Sequence, residues 1–494
     1  MLDHFAALQV VLPLLASPLC ALIRNRRAVH AVSLLVTSAT FAIAVLLALQ
    51  VADRGAFSYE LGGWAAPIGI EYRVDALTAF VLLVVSGIGA LVMWYARESL
   101  EVEISYQRYS LFHVMYLLAL AGLLGIVITG DLFNVFVFLE ISALSSYVLI
   151  SMGRDRRALT AAYQYLIMGT IGATFILIGV GLMYMMTGTL NMTDMAVRLR
   201  EVSETRTVLA AFGFLTVGIG LKMALFPFHL WLPNAYTYAP SVVTAFLAGT
   251  ATKVAVYVLL RFSLTVYGVD FSFSTMPLST VLMALALAGM FSASLVAVFQ
   301  QDVKRLLAYS SVAQIGYMVL GVSFASVTGL TGGIVHLANH AMMKCMLFCV
   351  LGCVVVRIGS THIDDMRGIA KQMPLTMGAF VVGGLGLIGV PATAGFISKW
   401  YLVQAALQQG YWPIAVLILA SSLLAVVYVW RVIEVAYFEE PPPGRGDVEE
   451  APVSMLVPSW LLAVATIYFG LDSELTAGLA RRAAEALLLV GGPA

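Results

Sequence analysis

Of the 27 basic residues in this chain, 21 are arginine and only six are lysine: Lys222, Lys253, Lys304, Lys344, Lys371 and Lys399. Four of the six fall deep inside apolar runs. Lys222 lies about fourteen residues into its run, Lys253 about twelve and Lys344 about fourteen, and Lys399 sits mid-run beyond a GVPATAG interruption. At 1.5 Å of rise per helical residue, a run that crosses about 30 Å of hydrocarbon puts each of them within several ångströms of the midplane. An isolated charge there costs at least roughly 2.5 to 3.5 kcal/mol, so such residues face a protein interior and mark ion or proton paths. Residue type adds to depth. Arginine keeps its proton in a protein, whereas a buried lysine can release it. Arginine in the loops and lysine in the core is therefore the pattern of proton exchange, since a structural ion pair tolerates either. Snorkelling of long side chains at helix ends accounts for Lys304 and Lys371.

The other ionisable groups at this depth extend the pattern. In GDLFNVFVFLEISALSSYVLISMG, Glu140 stands about nine residues from Asp131 and more than ten from Arg154. A carboxylate there needs a partner, and Lys222 is the first candidate. GGIVHLANHAMMKCMLF sets His336, His340 and Lys344 four residues apart, on one helical stripe about 12 Å long. Histidine titrates nearest neutrality, so this stripe can pass a proton in small steps; a lone core histidine is usually structural, but two in register with a buried lysine favour a relay. The HxxxH spacing lacks the glutamate of HExxH and has no third ligand, so no metal is expected. Two runs are interrupted: Lys222 precedes Pro227 and Pro233, and Lys399 follows Pro391 and Gly395. Broken backbone at membrane depth is tolerated where it is buried in protein or lines a hydrated cavity, and paired breaks point to a transport route. His229, two residues past Pro227, either extends an access path towards the cytoplasmic side or caps the broken helix.

The elements that must hold these groups are transmembrane helices. The chain is 61% hydrophobic and 11% charged, with mean hydropathy +0.95, the composition of an all-α polytopic membrane protein. Strand-like alternation is absent. About fourteen spans are expected, at 5–22, 29–51, 74–96, 111–129, 132–152, 159–186, 208–232, 241–262, 277–299, 304–323, 330–356, 374–408, 411–438 and 453–470. The first reads as an uncleaved span because its flank is acidic and a second apolar run follows directly. LDSELTAGLARRAAEALLLV is amphipathic and is expected at the interface or on a partner; EEPPPGRGDVEEAP, 439–452, has linker composition. Sorting Lys and Arg by alternate loops puts fourteen on one face (Arg24, Lys304, Arg357 and Arg445 among them) and eight on the other, Arg261 included. The richer face is cytoplasmic by the positive-inside rule, which leaves both termini outside.

Net charge is zero with no basic block, which excludes a nucleic-acid partner. Cys20, Cys345, Cys349 and Cys353 form no CxxC pair, so no redox cofactor is implied, and the cysteines of the 345–353 stripe read as small packing residues. GLGLIG, 384–389, matches GxGxxG but no strand precedes it, and NMT, 191–193, is a formal glycosylation sequon without expected meaning in a bacterial-looking chain. SSYVLISMG from 145 lies against IGYMVLGVS from 315, and KVAVYVLLRF from Lys253 against RVIEVAYF from Arg431. Two five-span units result, 111–262 and 277–438, flanked by three spans in 1–110 and by a loop, a last span and the amphipathic tail in 439–494.

GDLFNVFVFLEISALSSYVL, KMALFPFHLWLPNAY, TATKVAVYVLLRF, QQDVKRLLAYSSVAQIGYM, HLANHAMMKCMLF and GVPATAGFISKW together resemble the antiporter-like subunits of respiratory complex I, membrane-bound hydrogenases and Mrp-type cation/proton antiporters. GDLFN and TGTLNMTDMAVRL are most similar to the Mrp D subunit; LEISALSSY and HLWLPNAYTYAPSVVTAFLAG are as near to the complex I and hydrogenase subunits. The long lateral C-terminal helix of the largest complex I subunit has no counterpart here. The resemblance implies fourteen helices with two inverted five-helix repeats, each with a broken helix, and a charged axis along the membrane centre. By motif, Glu140 and Lys222 correspond to a switch pair and Lys253 to a central lysine; His336, His340 and Lys344 fall in the second half-channel, and Lys399 ends the axis. It implies no cofactor, a bacterial inner-membrane location, and other membrane subunits, protons and a monovalent cation, sodium first, as partners. The corresponding function is that of a proton-translocating subunit of a sodium/proton antiporter, or of a redox-driven complex.

Overall fold

Chain segments this apolar can satisfy their backbone in lipid only as helices, and helices dominate the computed structural model, which describes residues 4–442 and 446–490. Arg445 lies outside the described residues. In chain order the helices are α1 (Phe5–Leu22), α2 (Arg26–Arg54), α3 (Ala76–Glu103), α4 (Tyr109–Ile128), α5 (Leu132–Ser151), α6 (Arg157–Thr187), the short α7 (Met192–Val202), α8 (Arg206–Lys222), α9 (Trp231–Tyr238), α10 (Ser241–Gly249), α11 (Ala251–Leu260), α12 (Leu278–Val298), α13 (Val303–Ser323), α14 (Val327–Ile358), α15 (Pro374–Ile388), α16 (Ala394–Gln408), α17 (Trp412–Phe438), α18 (Val453–Leu471) and α19 (Glu474–Val490). Among the described residues twelve helical stretches are long and apolar enough to cross a membrane. The interrupted pairs α8/α9 and α15/α16 bring the spans to fourteen. Each pair is fourth in a run of five consecutive spans, α4 to α11 and α12 to α17.

Burial ranks the spans by position. The Ser241–Val266 and Val303–Ser323 spans are 94% buried, against 33% for Trp412–Phe438 and 39% for Phe5–Leu22, so α10, α11 and α13 form the centre and α1 and α17 face outwards. Small residues set the closest approaches: where α6 and α8 cross, a β-carbon on Gly218 would lie 2.7 Å from the Gly172 carbonyl oxygen, and one on Gly172 would lie 3.1 Å from that of Gly218. Loops sorted by sequence to the same face do meet. Tyr72 bridges Thr129 and Asp131 bridges Asn191 on the arginine-poor face, and Asp302 bridges His362 on the arginine-rich one.

Four sequence expectations need correction. A small antiparallel hairpin exists, β1 (Phe57–Glu60) paired to β2 (Glu71–Val74) from Phe57↔Val74 to Glu60↔Glu71; four-residue strands are too short for alternation to register. Lys304 does not snorkel. It is buried, and its ammonium donates to the Ala239 carbonyl at 2.8 Å, while Glu103 accepts from the backbone N–H and hydroxyl of Ser241 at 2.8 and 3.0 Å. Two buried charges thus clamp the turn from α9 to α10. Arg261 is no loop residue: it is buried and paired with Asp75. Finally, the apolar face of α19, expected at the interface or on a partner, is covered by its own chain, packed against α3, α14 and the wide turns of 261–266, with Ala477, Ala480, Ala483, Ala484 and Leu487 buried.

The sequon has a structural use. Asn191 accepts from the N–H groups of Thr193 and Asp194 at 3.1 and 3.0 Å, capping α7, and its amide donates to Glu71 at 2.7 Å. Asn191→Ala removes a cap and leaves the buried Glu71 short of a donor, a cost of about 1 to 2 kcal/mol. A lower thermal midpoint in detergent is the expected result; an unchanged midpoint would show that the cap carries no stability.

Candidate functional site: a buried line of ionisable groups

Lys222 is the last residue of α8, so proline and turn chemistry after it decide where it sits. The chain leaves the helix through Met223 to Leu230, with Ala224 at φ 57°, and re-enters it at Trp231. The indole N–H of Trp231 donates back to the Leu221 carbonyl at 3.0 Å, and its ring stacks on Tyr165 at 4.0 Å. This fixes the two halves across the break. Lys222 Nζ lies 3.3 Å from Glu140 Oε1, the pairing expected from depth alone. The lysine is 6% exposed and the glutamate 27%, so the pair opens on its α5 side.

Lys253 sits just past a third break, one that no proline announces. Between α10 and α11, Thr250 has φ −125° and ψ −61°, which frees the end of α10, and the Lys253 ammonium donates to the Ala248 carbonyl there and to Thr252 Oγ1 at 3.3 Å. Lys399, five residues into α16, reaches back across the second proline break to the last carbonyls of α15. It donates to Leu387 and Ile388, both at 2.9 Å, and to Ser422 at 3.0 Å, over the Tyr317 ring at 4.8 Å. Gly389, with φ 86°, permits the left-handed turn that aims those carbonyls at the lysine. The Lys253 and Lys399 ammonium groups therefore stand at helix C-termini inside the bundle, where unsatisfied carbonyls and the negative end of the helix dipole favour a cation, while Lys222 itself ends α8 and turns its ammonium to Glu140.

The histidine stripe lies between them on α14, which packs against α10, α11, α13 and α16. His336 and His340 stack with centroids 6.0 Å apart, and both are fully buried. His336 Nε2 is 2.9 Å from Gln314 Oε1 and its Nδ1 is 2.8 Å from Ser398 Oγ. With the Gln314 oxygen as acceptor, Nε2 carries the proton and Nδ1 accepts; the Ser398 hydroxyl, which also lies 3.1 Å from the Gly395 carbonyl, can donate to Nδ1 or to that carbonyl. Ser398 is the chain neighbour of Lys399. Neither ring nitrogen of His340 has a hydrogen-bond partner among the described residues. Lys344, fully buried, turns aside to α13, donating to the Leu307 carbonyl at 2.8 Å and Ser310 at 2.9 Å, and Ser310 lies 3.1 Å from the Tyr428 hydroxyl.

The structure thus brings Glu140 to Lys222, and His336 to the Lys399 end through Ser398. It does not bring Lys222 into contact with Lys253, though α11 packs against α8, α13 and α14. His229 stacks on Phe226 in the first break at 5.4 Å and makes no bond to Lys222. Sequence reasoning missed Gln314, Ser310, Ser398, Ser422, Tyr317 and Tyr428. The signal available was their polarity within apolar spans, sharpest for Ser310, Gln314 and Tyr317 on the deeply buried α13. It also missed the Asp75–Arg261 pair.

Comparison with known proteins fits this geometry. Residues 129–425, more than half of the chain, match the family described as NADH:quinone oxidoreductase/Mrp antiporter, TM, and residues 64–110 match the complex I chain 5 N-terminus. The chain is 42% identical over 490 residues to the N subunit of the NADH-quinone oxidoreductase of Desulforudis audaxviator, covering 96% of this chain and 97% of the relative. It is 31% identical over 432 residues to the D subunit of the Na(+)/H(+) antiporter of Alkalihalophilus pseudofirmus, covering 87% and 86%. A chain in the structure of the Mrp complex from Dietzia superposes with a TM-score of 0.90 at 28% identity, over 99% of this chain and 97% of that one. Fourteen spans among the described residues, three of them broken beside a buried lysine, and these matches make this multi-pass membrane protein a member of the NADH:quinone oxidoreductase/Mrp antiporter family, with the resemblance to the Mrp D subunit that its motifs carry.

Proposed function

We propose that this chain is the proton-translocating subunit of a multisubunit monovalent cation/proton antiporter, sodium being the first candidate cation. The observation that carries the reading is the line of buried lysines held at interior helix ends, opening on a Glu140–Lys222 pair and closing on Lys399. With the pair closed, Lys222 keeps its proton; with Glu140 drawn away, the proton passes towards Lys253. The onward route runs through His340 and His336 to Ser398 and Lys399, and Lys344 forms a side branch to Ser310. The two five-span units, 111–262 and 277–438, each contribute one end of the line. A membrane potential of 100 mV weighs about 2.3 kcal/mol per charge moved, so a pair of modest energy can respond to the field. The part-exposed Glu140 at mid-membrane suits coverage by a neighbouring membrane subunit, in keeping with the multisubunit Mrp complex of the Dietzia relative.

A second reading has a specific observation behind it. The 42% identity to the N subunit of a quinone oxidoreductase favours the same proton line driven by electron transfer elsewhere in a larger complex. Everted vesicles carrying the whole complex separate the two: antiport gives a sodium-dependent pH change without a reductant, and the redox reading gives a pH change only with an electron donor and quinone. Lys253→Met should lower either signal at least about tenfold. Wild-type signals in a normally assembled Lys253→Met complex would overturn both.

A further inference from the structure

The inward cavity beside Glu103 and Lys304 and the line itself are absorbed by the fold and by the proposed function. A cavity on the opposite, arginine-poor face is not. It encloses about 280 Å³ between α3, α7, α11 and α19, and Asp75, Thr78, Tyr257, Arg261 and Thr265 line it. Lys253, Tyr257 and Arg261 follow one another at intervals of four on α11 and its continuation, a stripe about 12 Å long from the central lysine to the cavity. Thr265 turns onto the same space a buried hydroxyl that has no hydrogen-bond partner among the described residues.

We propose that this cavity is an outward proton port of the first unit, through which Lys253 exchanges protons with the outer aqueous phase, with α19 as its lid. The inference rests on the proton-transfer reading of Lys253 and adds a route that reading lacks. In the described conformation the port is latched. Tyr257 gives its hydroxyl proton to the Val127 carbonyl at 2.6 Å, and its oxygen accepts from Arg261 Nε at 2.9 Å. Arg261 is held in turn by Asp75 and by Thr78 Oγ1 at 2.8 Å. When Arg261 withdraws and the Lys253 ammonium leaves Ala248 and Thr252 to reach the oxygen of Tyr257, that oxygen can take a proton from the lysine as its own hydroxyl proton passes to water in the cavity. One N–H bond breaks, one O–H bond forms and one is replaced; the lysine ends neutral and the charge leaves as hydronium. Arg73 and Arg200 also line the cavity, so a metal cation meets three guanidinium groups against one carboxylate. That balance opposes residence of any cation in the cavity, sodium or hydronium, so a released proton is driven on to the outer water.

Ala483, Ala486 and Leu487 of α19 close the outer side. Thr265→Cys places a thiol inside, and the four native cysteines are buried. The probe is a membrane-impermeant anionic thiosulfonate carrying a sulfonate group, which the three guanidinium groups do not repel, applied to right-side-out and to everted vesicles carrying the whole complex, with labelling read by mass. Labelling of Thr265→Cys from the outer face, with proton flux falling at least about tenfold relative to the same variant before reagent, is the expected result, together with faster labelling when the chain is stopped after Asp472. Labelling without loss of flux, labelling from the inner face alone, or no labelling of either the full-length or the shortened chain overturns the port. If the shortened chain fails to assemble, the full-length variant decides between the two faces. Glu140→Gln is run in parallel. An unaffected Glu140→Gln flux defeats the underlying transport reading, whereas its loss beside an unblocked Thr265→Cys defeats only the port.

Discussion

Lys222→Met and Glu140→Gln should each lower proton flux by about a hundredfold or more, the scale of a positioned proton donor or acceptor, and the double variant should lose no more than either alone. The two side chains form one device, 3.3 Å apart, and groups that act as a unit are strongly non-additive. Assembly should survive. The lysine left by Glu140→Gln can shed its charge, and the glutamate left by Lys222→Met can take up a proton on its part-exposed side, so neither variant strands an ion in the bundle. Flux in vesicles is measured with complex recovery as the control. Additive losses would mean that the two residues act at separate steps.

Lys399→Arg tests the other end. A guanidinium can still donate to the Leu387 and Ile388 carbonyls and to Ser422, so folding and assembly should be normal. It cannot release a proton, and transport should fall about as far as in Lys399→Met, again on the order of a hundredfold. Lys399→Glu should fail for a second reason, because an ionised carboxylate would face two carbonyls that only accept. Wild-type flux in Lys399→Arg would make Lys399 a fixed structural cation and end the line at His336.

Most of the framework could be read from the chain itself. Apolar runs gave the spans to within a few residues because lipid allows nearly one solution, and Pro227, Pro233, Pro391 and Gly395 marked two of the three breaks. The pairing of Glu140 with Lys222 followed from depth. What escaped were features in which tertiary packing overrides local signal. Thr250 breaks its span without a proline, in a position where the loss of helical bonding is answered by a lysine side chain. Lys304 and Arg261 stand where a span ends, and the sequence cannot say whether a long cation there reaches out to water or inwards to Ala239 and Asp75. The hydroxyl and amide partners along the line, Gln314, Ser310 and Ser398, differ from any other helix polar residue only by what faces them.

The way the lysines are held also bears on how this protein can vary. Two of the three ammonium groups rest on main-chain oxygens, Ala248 for Lys253 and Leu387 and Ile388 for Lys399. A backbone carbonyl is the same atom whatever the residue, so no single substitution deletes it. A genetic screen for loss of transport should therefore recover the lysines themselves and changes at Thr250, Gly389 or Pro391 that shift a helix end, and should rarely recover Ala248, Leu387 or Ile388. The binding groups are written in the path of the chain rather than in its side chains, so drift in the surrounding apolar sequence leaves them in place.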